Sequence, residues 1–141
     1  MSEAPEEDGI MVIRTVQTRS RTELVDITGE VEAARREIGL ADGLLAVYVP
    51  HTTAGVTINE GADPAVRRDV MEVLNHVVPW DFDYRHMEGN SPAHVKATLT
   101  GASVHVLVEG GRLLLGTWQR VFLCEFDGPR NRKIWVKGLG A

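Results

Sequence analysis

The fold is decided by residues 103–117, which read SVHVLVE-GG-RLLLGT. Apolar and polar residues alternate before the two glycines, which is the period-two pattern of a half-buried strand. Adjacent glycines adopt the positive φ angles of a two-residue hairpin turn, so the segment predicts strands over 104–109 and 112–117 joined by Gly110 and Gly111. Antiparallel pairing is therefore expected in the C-terminal half of the chain.

Outward from this hairpin, the chain carries further strand patterns and three helical ones. The other predicted strands are 10–18, 44–49, 56–58, 121–126 and 133–137. The predicted helices are 30–38, ended by Gly39, then 64–77 and 91–101. About seven strands with about three interspersed helices predict an α+β fold, in which a mostly antiparallel, β-sandwich-like sheet forms the centre.

Two of the helices have expected inward faces. In helix 64–77 Asp63 is the expected N-cap and Pro64 the first helical residue. Its apolar stripe consists of Val66, Val70, Val73, Leu74 and Val77. In helix 91–101 we expect Val95 and Leu99 to face inward.

Length and composition limit the class of protein. The chain has 141 residues, which suits one domain over 10–141 preceded by an acidic, disordered leader over 1–9. A formal net charge of -5 argues against nucleic acid as a partner. No apolar run approaches the roughly 18 residues of a membrane span, and no signal-peptide pattern is visible. Cys124 is the single cysteine, so a reducing cytoplasm is the expected location.

Three polar segments lie at the ends of predicted elements. The first, residues 50–60, directly follows a buried strand and places His51, Thr52 and Thr53 on a rigid support at a sheet edge. These residues are expected to form one wall of a polar site for a small anionic ligand. The alternative is that both threonines satisfy local turn hydrogen bonds and His51 is simply exposed.

The second segment, residues 86–96, opens a helix. Unpaired N–H groups at a helix start favour an anion, and Lys96 would add positive charge. His94 and Lys96 lie on opposite sides of the expected apolar stripe, so they are not expected to contact the same ligand atom. The alternative is that Asn90 and Ser91 are merely a helix cap.

The third segment contains Glu125, which interrupts the apolar strand 121–126 on the face of Val121 and Leu123. A carboxylate there needs a cation, a metal ion or a histidine as partner. Cys124 falls on the opposite face and is expected to be buried and unreactive.

A divalent metal ion is a further hypothesis for these segments. Three imidazoles, from His51, His86 and His94, together with Glu125 would suit zinc. The separations of thirty-five and eight residues between these histidines do not form a tight metal-ligand motif. The sequence therefore does not identify a cofactor, and a divalent ion, zinc or magnesium, is the candidate.

Taken together, these segments resemble the YjbQ family, whose members are often labelled secondary thiamine-phosphate synthase. The matching segments are HTTAGVTINE starting at His51, ADPAVRRD at Ala62, YRH at Tyr84, EGNSPAHVK at Glu88, GTWQ at Gly116 and EFDGPR at Glu125. The match runs from about Met11 to Val136, nearly the whole chain. The resemblance implies a small α+β fold that assembles as a homotrimer with polar residues near the subunit interfaces.

The resemblance also implies roles for individual residues. His51, His94 and Glu125 are the expected catalytic residues. The expected ligand-binding residues are Thr52, Thr53, Asn59, Glu60, Asn90, Ser91, Lys96 and Gln119.

Three function classes follow from this resemblance and from the residues. The enzyme would condense an aminopyrimidine diphosphate with a thiazole phosphate. The alternative is a non-catalytic homotrimer that binds a small phosphorylated metabolite or a metal. A purely structural trimer explains the strands but not the clustered polar residues. The sequence has no Asp-rich magnesium-diphosphate motif and no Walker-type loop, which the synthase reaction would favour.

Overall fold

The computed structural model describes residues 10–140, so the expected leader over 1–9 lies outside the described residues. Within them the chain forms eight strands and three helices. In chain order these are β1 (Met11–Gln17), β2 (Glu23–Asp26), α1 (Thr28–Ile38), β3 (Gly43–Tyr48), β4 (Ala54–Glu60), α2 (Pro64–Val77), α3 (Ser91–Thr100), β5 (Ser103–Glu109), β6 (Arg112–Leu113), β7 (Gln119–Glu125) and β8 (Asn131–Gly140).

The strands form two antiparallel sheets, with the orders β1-β8-β3-β5-β6 and β2-β7-β4. The first and last strands of the chain are neighbours, in register from Met11 opposite Lys137 to Gln17 opposite Asn131. The predicted α+β fold is confirmed. The strand that the sequence pattern missed is β2, whose four residues are too few to show a period of two.

The main core lies between the two sheets. It is built from inward-facing residues of both, such as Val12 and Val47 of the larger sheet and Val56 and Leu123 of the smaller one. A second cluster, containing Phe122 and residues of α2 and α3, covers the other face of the smaller sheet. Because β7 is covered on both faces, its residues from 121 onward are all buried, as for a central strand.

The hairpin of residues 103–117 forms, but its second strand is shorter than predicted. Gly110 and Gly111 have φ angles of 61° and 73°, as a type I′ turn requires, and Glu109 pairs with Arg112. The prediction of a strand to residue 117 is wrong, because β6 ends at Leu113. The chain turns at Gly116, whose N–H donates to the side chain of Gln119, and enters the other sheet.

Helix α2 has its predicted bounds, and its Asp63 side chain accepts a hydrogen bond from the N–H of Ala65. The expected inward faces of α2 and α3 are partly wrong. Val73 and Val77 of α2 are exposed, and Met71 is the buried residue instead. In α3, Val95 and Leu99 are 40% and 59% exposed. The buried residues of α3 are Pro92, Ala93 and Lys96.

Close packing explains the face that α3 buries. A Cβ atom on Gly55 of β4 would lie 2.3 Å from Thr100 Oγ1, so the helix rests directly on the strand. At that distance a side chain on this strand residue would not fit beneath the end of the helix. The face that α3 buries carries Pro92, Ala93 and Lys96, whereas a hydrophobicity pattern selects Val95 and Leu99. None of the helices in residues 10–140 is long and apolar enough to cross a membrane.

Candidate functional site

A cavity of about 400 Å³ lies where the start of β4 meets α3. It brings together the first two polar segments, since His51 and Thr52 precede β4 while His94 and Thr98 project from successive turns of α3. The rest of its wall is formed by small residues, namely Ala54, Ala97, Gly101 and Ala102. Small residues leave open space between helix and strand that larger ones would fill.

The imidazole of His51 is held by the backbone of β8. Its Nε2 accepts a hydrogen bond of 2.9 Å from the N–H of Lys133. A backbone N–H can only donate, so Nε2 is unprotonated and the neutral ring carries its proton on Nδ1. Burial lowers the pKa of His51, and the nearby charges of Arg132, Arg130 and Lys133 lower it further against an opposing effect of Glu125. His51 is therefore a neutral donor at pH 7.

His86 does not line the cavity but lies next to His94, which does. Its ring lies edge-on to that of His94, with 5.3 Å between the centroids, and its Nε2 is 3.5 Å from a carboxylate oxygen of Glu88. Within residues 10–140, however, no three His, Cys, Asp or Glu side chains are grouped so that they could hold a metal ion. The structure therefore gives no support to a metal ion held by His51, His86 and His94.

Glu125 is fully buried and belongs to a polar centre beside the cavity. Arg132 donates two hydrogen bonds to the carboxylate, from Nε to Oε1 at 2.9 Å and from Nη2 to Oε2. The carboxylate also accepts from Thr18 Oγ1 at 2.8 Å and from the N–H of Asp127 at 2.9 Å. Burial raises the pKa of Glu125, but the hydrogen bonds from Arg132, Asp127 and Thr18 outweigh it, and the pKa is lowered. The carboxylate is ionised and all its donors come from the protein.

The same arginine organises the turn that carries His51. Arg132 Nη2 donates to the carbonyl oxygen and the hydroxyl of Thr53, at 3.1 and 2.9 Å. Of the three partners considered for Glu125, the structure shows a cation, Arg132. The carboxylate lies in an ion-pair network that supports Thr53 and not at the cavity wall. Sequence reasoning missed Arg132. Its signal was present, because Arg132 alternates with Ile134 and Val136 on the buried face of β8.

The start of α3 is anchored to the polar centre. Asn90 donates through Nδ2 to Asp127 Oδ2 at 2.9 Å, while its own Oδ1 is buried with no hydrogen-bond partner among the described residues. Ser91 is the first helical residue, and Asn90 makes no side-chain capping bond. Neither residue lines the cavity.

Lys96 lies on the side of α3 opposite His94. It is fully buried, its Nζ donates to Asn75 Oδ1, and the same atom lies 5.3 Å from the ring centroid of Trp80. Burial lowers the pKa of Lys96, and the nearby Arg21 lowers it further. The structure does not bring this lysine to the histidine cavity.

Asn59, Glu60 and Gln119 lie at the far end of the smaller sheet. Glu60 pairs with Gln119, six residues along β4 from the pair of Ala54 and Glu125. At about 3.4 Å per residue this separation is roughly 20 Å. In a single chain these three residues are therefore remote from the cavity.

Cys124 behaves as expected from its position in the strand. It is fully buried in the second cluster, beside Phe122 and Phe126. Burial raises the pKa of its thiol to about 12. The thiol is thus protonated and shielded, which makes it a packing residue.

The fold and the cavity define a class of α+β domain with two antiparallel sheets and a histidine-lined cavity at their edge. The comparison with protein families identifies which one. The family described as UPF0047 protein YjbQ-like matches residues 13–141, and the chain belongs to this family.

Relatives support the assignment over almost the full length. The UPF0047 protein YugU of Bacillus subtilis is 52% identical over 126 residues, covering 89% of this chain and 96% of YugU. A crystal structure of an uncharacterised conserved protein of the same family from Clostridium acetobutylicum aligns with a TM-score of 0.88 at 48% identity, covering 91% of this chain and 99% of that one. A YbjQ-like protein of unknown function from Sulfolobus solfataricus aligns with the same TM-score at 34% identity, covering 94% and 97%.

These relatives correct the expected function. The resemblance implied a thiamine-phosphate synthase, but the family is described only as UPF0047, and the solved Sulfolobus relative is of unknown function. The expectation that the chain condenses an aminopyrimidine diphosphate with a thiazole phosphate is therefore wrong as a statement of what the family does. The arrangement of Glu125 agrees with this correction, since its oxygens are occupied by protein donors.

Proposed function

We propose that the histidine-lined cavity binds a small phosphorylated metabolite. The observation that carries this proposal is the hydrogen bond from the Lys133 N–H to His51 Nε2. It fixes the ring and leaves the Nδ1–H, for which no protein acceptor is found within residues 10–140, as a donor to a phosphate oxygen. The hydroxyl of Thr52 on the cavity wall is a further donor of the same kind, whereas the hydroxyl of Thr98 donates to the carbonyl oxygen of His94.

The local charge supports an anionic ligand. Arg132, Arg130 and Lys133 lower the pKa of His51 while Glu125 raises it. Arg132 and Arg130 are paired with Glu125 and Asp127, so the positive potential that favours a phosphate group comes mainly from Lys133, which forms no ion pair within residues 10–140. This potential exists in a chain whose net charge is -5. Binding rather than catalysis is the proposed role, because Glu125, the carboxylate expected to act with the histidines, is committed to Arg132.

Calorimetric titration with glycerol 3-phosphate tests this proposal, together with the ¹⁵N chemical shifts of the imidazole nitrogens. We expect binding to perturb the His51 and His94 nitrogens. We expect His51→Ala to weaken affinity about tenfold or more, the effect of losing a charge-assisted hydrogen bond. The matched control is His76→Ala, because His76 is exposed on α2 and does not line the cavity. Equal affinity in all three proteins would contradict the proposal.

We further propose that the protein acts as a homotrimer in the cytoplasm. An exposed apolar surface supports assembly, since Ile13, Leu107 and Leu139 on the outer face of the larger sheet are 52%, 58% and 63% exposed. The trimeric number itself comes from the family resemblance. Sedimentation of the wild type beside Ile13→Lys measures it, and a wild type that sediments as a monomer would refute it.

Assembly would also bear on the remote polar residues. Asn59, Glu60 and Gln119 stay predicted ligand-binding residues, and only a neighbouring copy could bring them to a cavity. Gln119→Ala should then weaken ligand affinity in the assembled protein but not in Ile13→Lys. The same loss in both proteins would contradict a contribution across the interface.

A further inference from the structure

A second and larger cavity lies on the face of the smaller sheet that α2 and α3 cover. Its volume is about 460 Å³, within the range of roughly 300–1,000 Å³ typical of small-molecule sites. One wall comes from the start of β2 and the residues before it, and the other from α2. The lining residues are Thr22, Glu23, Leu24, Pro64, Arg67, Arg68, Met71, Glu72 and Asn75.

The inner surface of this cavity is apolar. Leu24 and Met71 are buried members of the second core cluster, and Pro64 lines the same cavity from the first turn of α2. Such a surface suits the hydrocarbon or aromatic part of a ligand, whose burial contributes about 25 cal/mol for each Å² removed from water.

Arg67 is the unusual polar residue of this wall. Its Nε atom is buried and has no hydrogen-bond partner within residues 10–140. Its guanidinium carbon lies 5.3 Å from the ring centroid of Phe122, and no carboxylate of the described chain is within ion-pair distance. A buried donor without an acceptor costs free energy, which an anionic ligand would offset.

A second cation lies behind the cavity. Asn75, which lines it, accepts a hydrogen bond from the buried Nζ of Lys96 and donates to Thr22 Oγ1 at 3.4 Å. The contacts of Lys96 in the structure are an amide oxygen and the ring of Trp80, without a carboxylate. Two partly or fully buried cations that form no ion pair within residues 10–140 therefore lie on one side of the cavity.

The two acidic residues of the cavity limit the charge of the ligand. The Oε2 atom of Glu23 accepts hydrogen bonds from the N–H groups of Arg19 and Ser20, so its charge stabilises that turn. Glu72 is exposed. Two carboxylates at the rim repel a ligand with several negative charges, such as a diphosphate, more than one with a single charge.

We propose that this second cavity binds a small organic monoanion, an apolar or aromatic body carrying one carboxylate, which Arg67 recognises. The apolar body packs against Leu24 and Met71, and the carboxylate accepts from the Arg67 guanidinium. The site is separate from the histidine-lined cavity, with which it shares no lining residue.

The test titrates the ¹⁵N-labelled full chain with phenylacetate, 2-phenylethanol and pyrophosphate, monitored by amide chemical shifts. Phenylacetate should shift amides of Leu24 and Met71 and bind at least about tenfold more tightly than the neutral alcohol, as a charge-assisted hydrogen bond provides. Pyrophosphate should not shift these amides. Equal binding of acid and alcohol, or no shift at these amides with phenylacetate, would overturn the proposal.

Variants identify the residue responsible. Arg67→Gln should reduce the affinity for phenylacetate to that for the alcohol, while Arg112→Gln, at an exposed residue of β6, should leave the affinity unchanged. A full affinity in Arg67→Gln would overturn the assignment to Arg67. If that variant fails to fold, the comparison of acid with alcohol on the wild type still decides. His51→Ala should bind phenylacetate like the wild type, so this result is independent of the histidine-lined cavity.

Discussion

Two groups of buried charges in this protein are arranged in opposite ways. At the polar centre, Glu125 and Arg132 are fully buried, directly paired, and supplied with further hydrogen bonds by Thr18 and Thr53. On the other side of the smaller sheet, Lys96 and the buried Nε of Arg67 have no carboxylate partner among residues 10–140.

The difference separates charges that stabilise the fold from charges that are available to a ligand. A buried carboxylate whose donors all come from the protein has little capacity left for a ligand, so its effect is on the fold. A buried cation with unused hydrogen-bond donors has lost its hydration without gaining a partner that compensates for it. This is the expected state of a ligand site before the ligand binds. Glu125 was expected at the site from its sequence, and Arg67 was not.

The largest expected effect comes from breaking the paired centre. Glu125→Ala leaves Arg132 buried without its anion, and we expect a loss of about 3–5 kcal/mol in the free energy of unfolding. Urea denaturation measures this loss. The matched control is Glu30→Ala, since the partly exposed Glu30–Arg14 pair should contribute only about 0–1 kcal/mol. Losses of equal size in the two variants would contradict the contrast.

The packing around the polar centre should give the next effect. A Cβ atom on Gly128 would lie 2.8 Å from Glu125 Cγ and 2.4 Å from the carbonyl oxygen of Ser20. Gly128→Ala should therefore cost about 1–3 kcal/mol, the typical result of overpacking. Gly29→Ala is the control, because a Cβ there meets nothing within 4 Å and should stabilise α1. Thermal unfolding compares the two, and an unaffected Gly128→Ala would show that the centre is loosely packed.

Removing an unpaired cation should have a smaller effect. Lys96→Met keeps most of the side-chain volume, removes a buried charge and leaves Asn75 Oδ1 without its donor. These opposing contributions should leave the free energy of unfolding within about 1 kcal/mol of the wild type. Urea denaturation of Lys96→Met and of Glu125→Ala, each compared with the wild type, measures the two changes in the free energy of unfolding. A loss as large as that of Glu125→Ala would mean that Lys96 is as fully satisfied as Arg132.

The smallest effect is the pH dependence due to His51. Its pKa in the folded protein lies below the unfolded value of 6.5. The unfolded chain therefore binds more protons than the folded one between the two pKa values. The contribution of neutral His51 to the free energy of unfolding is fully present above pH 6.5 and decreases as the pH falls below it. One such group contributes at most about 1.4 kcal/mol per pH unit. Unfolding measured between pH 7.5 and 5 should show this slope, and it should decrease in His51→Ala.

The lowered pKa of Glu125 acts in a different window. The contribution of ionised Glu125 to the free energy of unfolding is present above the unfolded pKa of about 4.5. It is lost as the pH falls through the lower pKa of the folded protein. The two windows therefore separate the histidine from the carboxylate. A slope between pH 6.5 and 5 that is unchanged in His51→Ala would show that other groups are responsible.

Much of the fold was predictable from local patterns. The hairpin at Gly110 and Gly111, the cap of α2 at Asp63 and the buried strand before His51 each depend on a few neighbouring residues. The faces of α2 and α3 were less predictable, because which residues are buried depends on how closely each helix approaches the sheet. At Gly55 the end of α3 lies so close that even a Cβ atom on the strand would clash with Thr100.

By itself, the sequence determined the fold class and the family, whereas the meeting of His51 with His94 depends on the packing of α3 against β4. Periodicity, turn residues and motif order are local properties, and they persist whatever the chain packs against. Only the tertiary structure decided the roles of the charged residues. Glu125 is committed to Arg132, seven residues away, Lys96 lies on the opposite side of α3 from His94, and Arg67 is left with a free buried donor. The free energy of a buried charge depends on its partners in space, which a linear pattern does not contain.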